Sequence, residues 1–170
     1  MVETIIFRKA TTADFERIWQ IILQAKERMH LRGSRQWQDG YPTIAIITDD
    51  IEKGYGYVLC DNNCVIAYAA VVFDGEQAYN SIKGNWLSDQ PYVVVHRLAV
   101  ANGMTQLGIA TMFMETVEEL SRRNKVFSFR VDTNFDNQYM LKIMQKMGFT
   151  YCGEIYYESD ARMAFEKILG

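Results

Sequence analysis

YVVVHRLAVANGMTQLGIATMFMETVEELSRR, residues 92–123, is the stretch on which the reading of the fold turns. Its first nine residues form an apolar, valine-rich run of the kind a buried strand carries. Farther on, Ile109, Met112, Phe113, Thr116, Val117 and Leu120 recur at helical spacing and mark the inner face of a helix over 108–123. Between them lies ANGMTQLG, a short loop of small residues. A strand, a small-residue loop and a helix start together present free backbone N–H groups to an anion, and the helix dipole adds about half a positive charge there. Gly108 permits close backbone approach, and Ala110 keeps the first turn uncluttered. On this physics the segment is a phosphate or pyrophosphate site, or else a plain turn. It is not a Walker loop, because the terminal Gly-Lys-Ser/Thr is missing, and one glycine stands where a dinucleotide fingerprint needs three.

Outward from this block, TIIFRKA (4–10) alternates as a strand. Thr12 or Asp14 can cap the helix that follows, in which Phe15, Ile18, Trp19, Ile22, Leu23 and Met29 keep helical spacing to about His30, and Gly33 closes it. SRQWQDGYPT (34–43) is an aromatic-bearing loop, and 43–53 predict a shorter helix ending at Gly54. GYVLCD and CVIAYAAVVFD flank Asn62-Asn63 as a hairpin. Residues 75–90 are ambiguous: a short helix and a loop around Trp86. VFSFRVD (126–132) is a strand. Met140, Ile143, Met144 and Met147 mark a fourth helix that stops at Gly148. FTYCGEIYY and RMAFEKIL end the chain as two strands. The order is β-α-α-β-β-β-α-β-α-β-β, an α/β (α+β) chain with a mixed sheet flanked by helices, read as one domain over 1–170.

Composition narrows the function. The chain has 170 residues, enough to bury a core without disulfides or metal. Hydrophobic residues make up 49% and charged residues 23%, a globular balance. Apolar runs are of strand length and broken by charge, so no membrane span is expected, and MVETIIFRKA lacks the build of a secretory signal. Cys60, Cys64 and Cys152 form no CxxC pair, and with only His30 and His96 beside them no zinc cluster, hence no metal, is expected. Reduced thiols fit a cytoplasmic protein. A net charge of −3 without a basic block argues against nucleic acid as partner.

HRLAV (96–100), TQLGIA (105–110) and the N-x-x-M-x-x-x-M-x-K-M-G-F run over 137–149 together resemble the GNAT superfamily of N-acetyltransferases. That family carries an Arg/Gln-x-x-Gly-x-Gly/Ala loop at a helix start, then an Asn, a helix and a terminal Gly-Phe. The resemblance covers nearly the whole chain and implies a mostly antiparallel, twisted sheet of six to seven strands flanked by four helices. It implies acetyl-CoA as cosubstrate and an amine of a small molecule or peptide as acceptor. Thr105 would stand at the loop's first place, and backbone amides of Gln106, Leu107, Gly108, Ile109 and Ala110 would hold the pyrophosphate. Leu98 and Val100 would pair with the pantetheine arm along a splayed strand, and Asn137 would lie near that arm. Two departures stand out. Thr105 replaces the usual Arg/Gln, with Gln106 one place later. Met144 occupies a position where many relatives carry a tyrosine thought to protonate the leaving thiolate, and Met cannot donate a proton.

His96 is the best candidate base, since imidazole titrates near neutral pH. By strand parity it shares a face with Leu98 and Val100, whereas Arg97 points away and is expected to make a structural ion pair. The plainer alternative for His96 is a satisfied strand histidine. The resemblance makes loop 34–43 the cover of the acceptor pocket, with Trp37 and Tyr41 as an aromatic wall and Asp39 facing an ammonium; otherwise Trp37 is a core residue. Tyr157, beside Tyr156, would form the other pocket rim. Two functions follow: acetyl transfer by direct attack in a ternary complex, or a catalytically weak CoA-binding sensor of the same fold. Either a monomer or a homodimer suits the enzyme.

Overall fold

The computed structural model describes residues 4–158 and 160–170. Strands are β1 (Ile5–Lys9), β2 (Gly56–Asp61), β3 (Cys64–Val72), β4 (Lys83–Gly84), β5 (Val93–Val100), β6 (Ser128–Thr133), β7 (Thr150–Tyr157) and β8 (Asp160–Ile168). Helices are α1 (Phe15–Leu31), α2 (Ile44–Glu52), α3 (Ile109–Arg123) and α4 (Gln138–Met147). Seven strands and four helices fall where the periodicity predicts them. The ambiguous 75–90 stretch becomes a 3₁₀ turn over Gln77–Ser81 and the two-residue β4, the eighth strand of the mixed sheet. Hydrogen-bonded neighbours run β1-β2-β3-β5-β6-β8-β7-β4. The β5–β6 pair is parallel, whereas β1–β2, β2–β3, β6–β8, β7–β8 and β4–β7 are antiparallel.

The helix starts are made by short polar side chains, as local chemistry requires. The Thr43 hydroxyl accepts from Ile46 N–H at 3.2 Å at the head of α2. Before α1, the Asp14 carboxylate accepts from Thr11 N–H at 2.8 Å and takes a two-pronged Arg8 at 2.8 and 2.9 Å. The β2–β3 hairpin turns on Asn62 and Asn63, both left-handed at φ 51° and 67°, the geometry of a tight primed turn.

The chain folds as two compact units, one of residues up to 71 with 96–116, the other of 72–95 with 117–170. In the first, Ile18, Ile21, Ile22 and Met29 of α1 pack with Ile47 of α2, Val58 and Tyr68 of the sheet, and Ala99 of β5. Each large apolar side chain so buried contributes about 1.5–3 kcal/mol. Phe7 stacks on Tyr57 and meets the edge of Phe113. In the second, Tyr79, Val94, Ile155 and Ala164 form the centre, with Trp86, Tyr92 and Tyr157 packed against them. At the β4–β7 pairing Gly84 lies opposite Gly153. A Cβ on Gly84 would come within 2.1 Å of the Cys152 carbonyl oxygen, and one on Gly153 within 2.2 Å of the Lys83 carbonyl oxygen, so neither position admits a side chain.

Candidate active site

Within the first unit, the end of β5 carries an irregularity that its sequence conceals. Arg97 has φ 60°, a left-handed backbone seldom taken by residues other than glycine. Strict alternation therefore stops there. The expectation that His96, Leu98 and Val100 share one face by period two is corrected: His96, Arg97 and Leu98 are all half-buried, and Val100 is buried. The expected Arg97 ion pair is present. Its Nε donates to Asp50 Oδ2 at 2.8 Å, Nη2 to Asp50 Oδ1 at 2.6 Å, and Nη1 to the Tyr41 hydroxyl oxygen at 2.8 Å. Tyr68, fully buried, donates its hydroxyl to Asp50 Oδ2 at 2.7 Å. Burial opposes the Arg97 charge, but Tyr41 and Asp50 outweigh it and raise its pKa above the ordinary value. Burial, with the Asp50 charge beside it, also drives the Tyr68 phenol pKa far up. Both groups hold one protonation state throughout the neutral range.

The loop after β5 is tied to α1. Arg28 donates to the Val100 carbonyl at 2.6 Å and to Asn102 Oδ1, and Gln24 Oε1 accepts from Asn102 N–H at 2.8 Å. The Val100 carbonyl thus already accepts a charged donor. Met104 N–H donates to Ala101 O at 3.1 Å, and Leu107 N–H to Met104 O at 3.3 Å, which turns the Leu107 amide into the loop and corrects its expected place among the anion-facing donors. Helix α3 then starts at Ile109. Met112 N–H donates to Gly108 O at 3.0 Å, so the amides just ahead of it have no helical carbonyl partner. The first turn of α3 carries no acidic residue to offset the positive end of the helix dipole. Gly108 has φ 75°, and a Cβ built there meets nothing within 4 Å. Thr105 is half-buried, whereas Gln106 is exposed. Ile109 and Ala110 are buried.

The loop between α1 and α2 is fastened rather than slack. Lys26 donates to Pro42 O at 3.0 Å and Gly40 O at 3.5 Å, and Gln38 Nε2 to Lys26 O at 3.1 Å. Burial lowers the Lys26 pKa. Trp37 is 8% exposed and packs in the core cluster. Its expected role as a pocket wall gives way to that of a core anchor. Tyr41, at a cis bond to Pro42, is 38% exposed, and its hydroxyl oxygen accepts from Arg97. Asp39 is exposed.

In the second unit, Asn137 caps α4, its Oδ1 accepting from Met140 N–H at 3.1 Å. Met144 is fully buried in α4. The Tyr157 hydroxyl donates to Asp132 Oδ2 at 2.9 Å, where Tyr79 also donates at 2.7 Å, so its polar end is committed within the unit. Tyr156 likewise donates to Glu154 at 2.7 Å. Periodicity missed Asp50, Arg28, Gln24 and Asp132. One signal was available: Asp50 falls three residues after Ile47, on the apolar face of a short helix, where an unpartnered carboxylate is too costly to bury.

The chemistry of the loop suits a CoA pyrophosphate. Open space beside Gly108, amides without a helical carbonyl at the α3 start and a first turn free of acid are what a doubly charged ligand needs. Among the described residues no group of three or more His, Cys, Asp or Glu side chains is placed to hold a metal ion, and no helix is long and apolar enough to cross a membrane.

Residues 15–149 match the family model described as the Acetyltransferase (GNAT) family. A GNAT-family acetyltransferase structure from Streptococcus agalactiae is 34% identical, with 98% of this chain and 96% of that chain covered and a TM-score of 0.88. A putative acetyltransferase from Staphylococcus aureus shares the fold at 24% identity, 97% and 99% coverage and a TM-score of 0.75. A chain of the NatC complex, solved bound to Gag peptide and CoA, shares it at 16% identity, 98% and 99% coverage and a TM-score of 0.69. No curated protein matches by sequence. With four-fifths of its length inside the family match and a third of its residues shared across a near-complete superposition, the chain belongs to the GNAT family of acetyltransferases.

Proposed function

We propose that the protein transfers the acetyl group of acetyl-CoA to a primary amine of a small molecule or peptide, by direct attack in a ternary complex in the cytoplasm. The observation that carries this reading is the left-handed, open Gly108 at the start of α3. Backbone amides of Gln106, Gly108, Ile109 and Ala110, with the Thr105 hydroxyl, hold the pyrophosphate. Leu98 and Val100 flank the pantetheine. Bound acetyl-CoA supplies an activated thioester. The amine nitrogen forms the new C–N bond as the C–S bond breaks. His96 takes the amine proton, directly or through water, and water protonates the departing thiolate, since Met144 has no proton to give. A backbone N–H of β5 faces the thioester oxygen, and orientation supplies most of the rate. Tyr41 contributes the exposed face and hydroxyl of the acceptor side.

The test has two measurements. Isothermal titration with CoA should show one site per chain, and thiol release from acetyl-CoA should depend on added amine across a panel of small amines and peptides. Absence of CoA binding would overturn the reading. Binding without turnover on the whole panel would transfer support to a sensor.

A further inference from the structure

We propose that Asp50 and Arg97 together form a positioning device for the cofactor strand: the carboxylate holds the guanidinium, and the guanidinium holds residue 97 in its left-handed backbone. The proposal rests on the reading of residues 98–110 as the CoA-binding segment. Three observations support it. First, an arginine seldom adopts φ 60° without external restraint, because its Cβ crowds the following carbonyl. Second, such a restraint is present. Asp50 is 3% exposed and takes the guanidinium on both carboxylate oxygens, a fork geometry that fixes direction as well as distance. Tyr68 donates to the same carboxylate and fixes it in turn. Third, the conformation sits one residue before Leu98 and three before Val100, where it sets the path of the strand into the loop. The remaining arm of the guanidinium reaches Tyr41, so one side chain also anchors the exposed tyrosine of the α1–α2 loop. The carboxylate is not a bystander to a stability contact. It lies on α2, in the core register of that helix, and the cation it holds belongs to the residue with the unusual backbone.

The device predicts different outcomes for two small replacements. Glycine takes a left-handed backbone unaided and needs no clamp, whereas alanine has neither the freedom nor the guanidinium. Arg97→Ala should weaken CoA binding by about 10-fold, the order of the left-handed cost of an L residue. Arg97→Gly should keep CoA affinity within about 3-fold of the wild type. Asp50→Asn should weaken it in the wild-type background, yet have no further effect on affinity when added to Arg97→Gly, which is a coupling that a general loss of stability does not produce. Arg97→Lys, which keeps charge but not the fork, should behave like alanine and serves if Arg97→Ala does not fold. Calorimetry with CoA, well below each variant's melting temperature, reads all of these. Equal affinities for the alanine and glycine variants, or an Asp50→Asn effect of the same size in both backgrounds, would overturn the proposal while leaving the cofactor site standing. Failure of the wild-type protein to bind CoA would remove the site itself, and the proposal with it.

Discussion

Two buried arginine–carboxylate pairs, one in each unit, hold their cations differently: Asp50 takes Arg97 on both oxygens at 2.6 and 2.8 Å, whereas Glu166 lies 3.5 Å from Arg130 Nε, which has no hydrogen-bond partner among the described residues. Arg130 of β6 and Glu166 of β8 are direct partners in antiparallel register, and both lie on regular strand backbone. Glu166, fully buried, accepts from Leu87 N–H and the Ser88 hydroxyl at 2.7 Å each and from the Ser128 hydroxyl at 2.5 Å. The Arg130 guanidinium lies 4.2 Å from the ring centres of both Trp86 and Tyr92. Arg130, Glu166 and Ser128 are all buried. The Arg97–Asp50 network, by contrast, reaches Tyr41, which is 38% exposed, and its arginine has a left-handed backbone at φ 60°. A buried ion pair on regular backbone staples strands together; one on strained backbone stores a local shape. The first is read out as stability and the second as binding.

The largest effect should come from breaking the Arg130–Glu166 network. Glu166→Ala leaves Arg130 buried and unpaired, which costs about 3–5 kcal/mol. For a chain of this size that is a melting temperature lower by roughly 10 °C. Calorimetric melting measures it, and CoA affinity of the folded protein should be unchanged. A normal melting temperature with impaired CoA binding would reverse the roles given to the two networks.

The next effect separates ligand contact from backbone strain. Gly108→Val should lower CoA affinity by about 100-fold, because it combines left-handed strain with loss of close approach. Gly103 in the same loop is also left-handed, at φ 84°, with open space around it. Gly103→Val therefore carries matched strain, and should cost CoA affinity far less. Similar losses for both would show that the loop responds to strain alone.

His96→Ala should lower kcat by about 100-fold at pH 7, with CoA affinity nearly unchanged. The loss should be similar with two acceptor amines of different basicity, as expected of a base on the enzyme. A near-normal kcat in the variant would assign deprotonation to a water relay.

The smallest effect belongs to the partly exposed pair before α1. Hydrogen bonds from Arg8 hold the Asp14 carboxyl below the ordinary carboxylate range, although partial burial opposes this. A carboxyl with a depressed folded pKa stabilises above its unfolded pKa of about 4, and that contribution disappears as pH falls through the folded value. Asp14→Asn should therefore cost about 0.5–1 kcal/mol at pH 7, with the gap closing below about pH 4. A gap that persists at pH 2 would mean that the pair contributes through packing.

What was legible in the sequence was whatever is written locally. Helical spacing of Ile18, Ile22 and Met29 set α1, Asn62-Asn63 set a hairpin, and the run from Val93 to Gly108 set the strand, loop and helix start. The GNAT resemblance then supplied the fold, and with it the expectation of what the loop binds. What stayed hidden depends on partners far along the chain. Arg97 looks like any outward strand residue until Asp50, 47 positions earlier, is seen to hold it. Trp37 sat in a polar stretch, and only tertiary packing shows that it faces the core. Two residues are too few to display the period of β4. The loop proposed for the pyrophosphate could be read as a candidate because backbone and glycine make it; a site built from side chains of several elements leaves no such local pattern.

The facing glycines of β4 and β7 carry a consequence for the protein's history. Since a Cβ at Gly84 or Gly153 collides with the opposite backbone, neither site can drift alone. The pairing can be abandoned only with rearrangement of the edge, never traded residue by residue. Variation should therefore gather elsewhere along β4 and the segment leading into it, leaving Gly84 and Gly153 as one inherited unit in a region otherwise free to change.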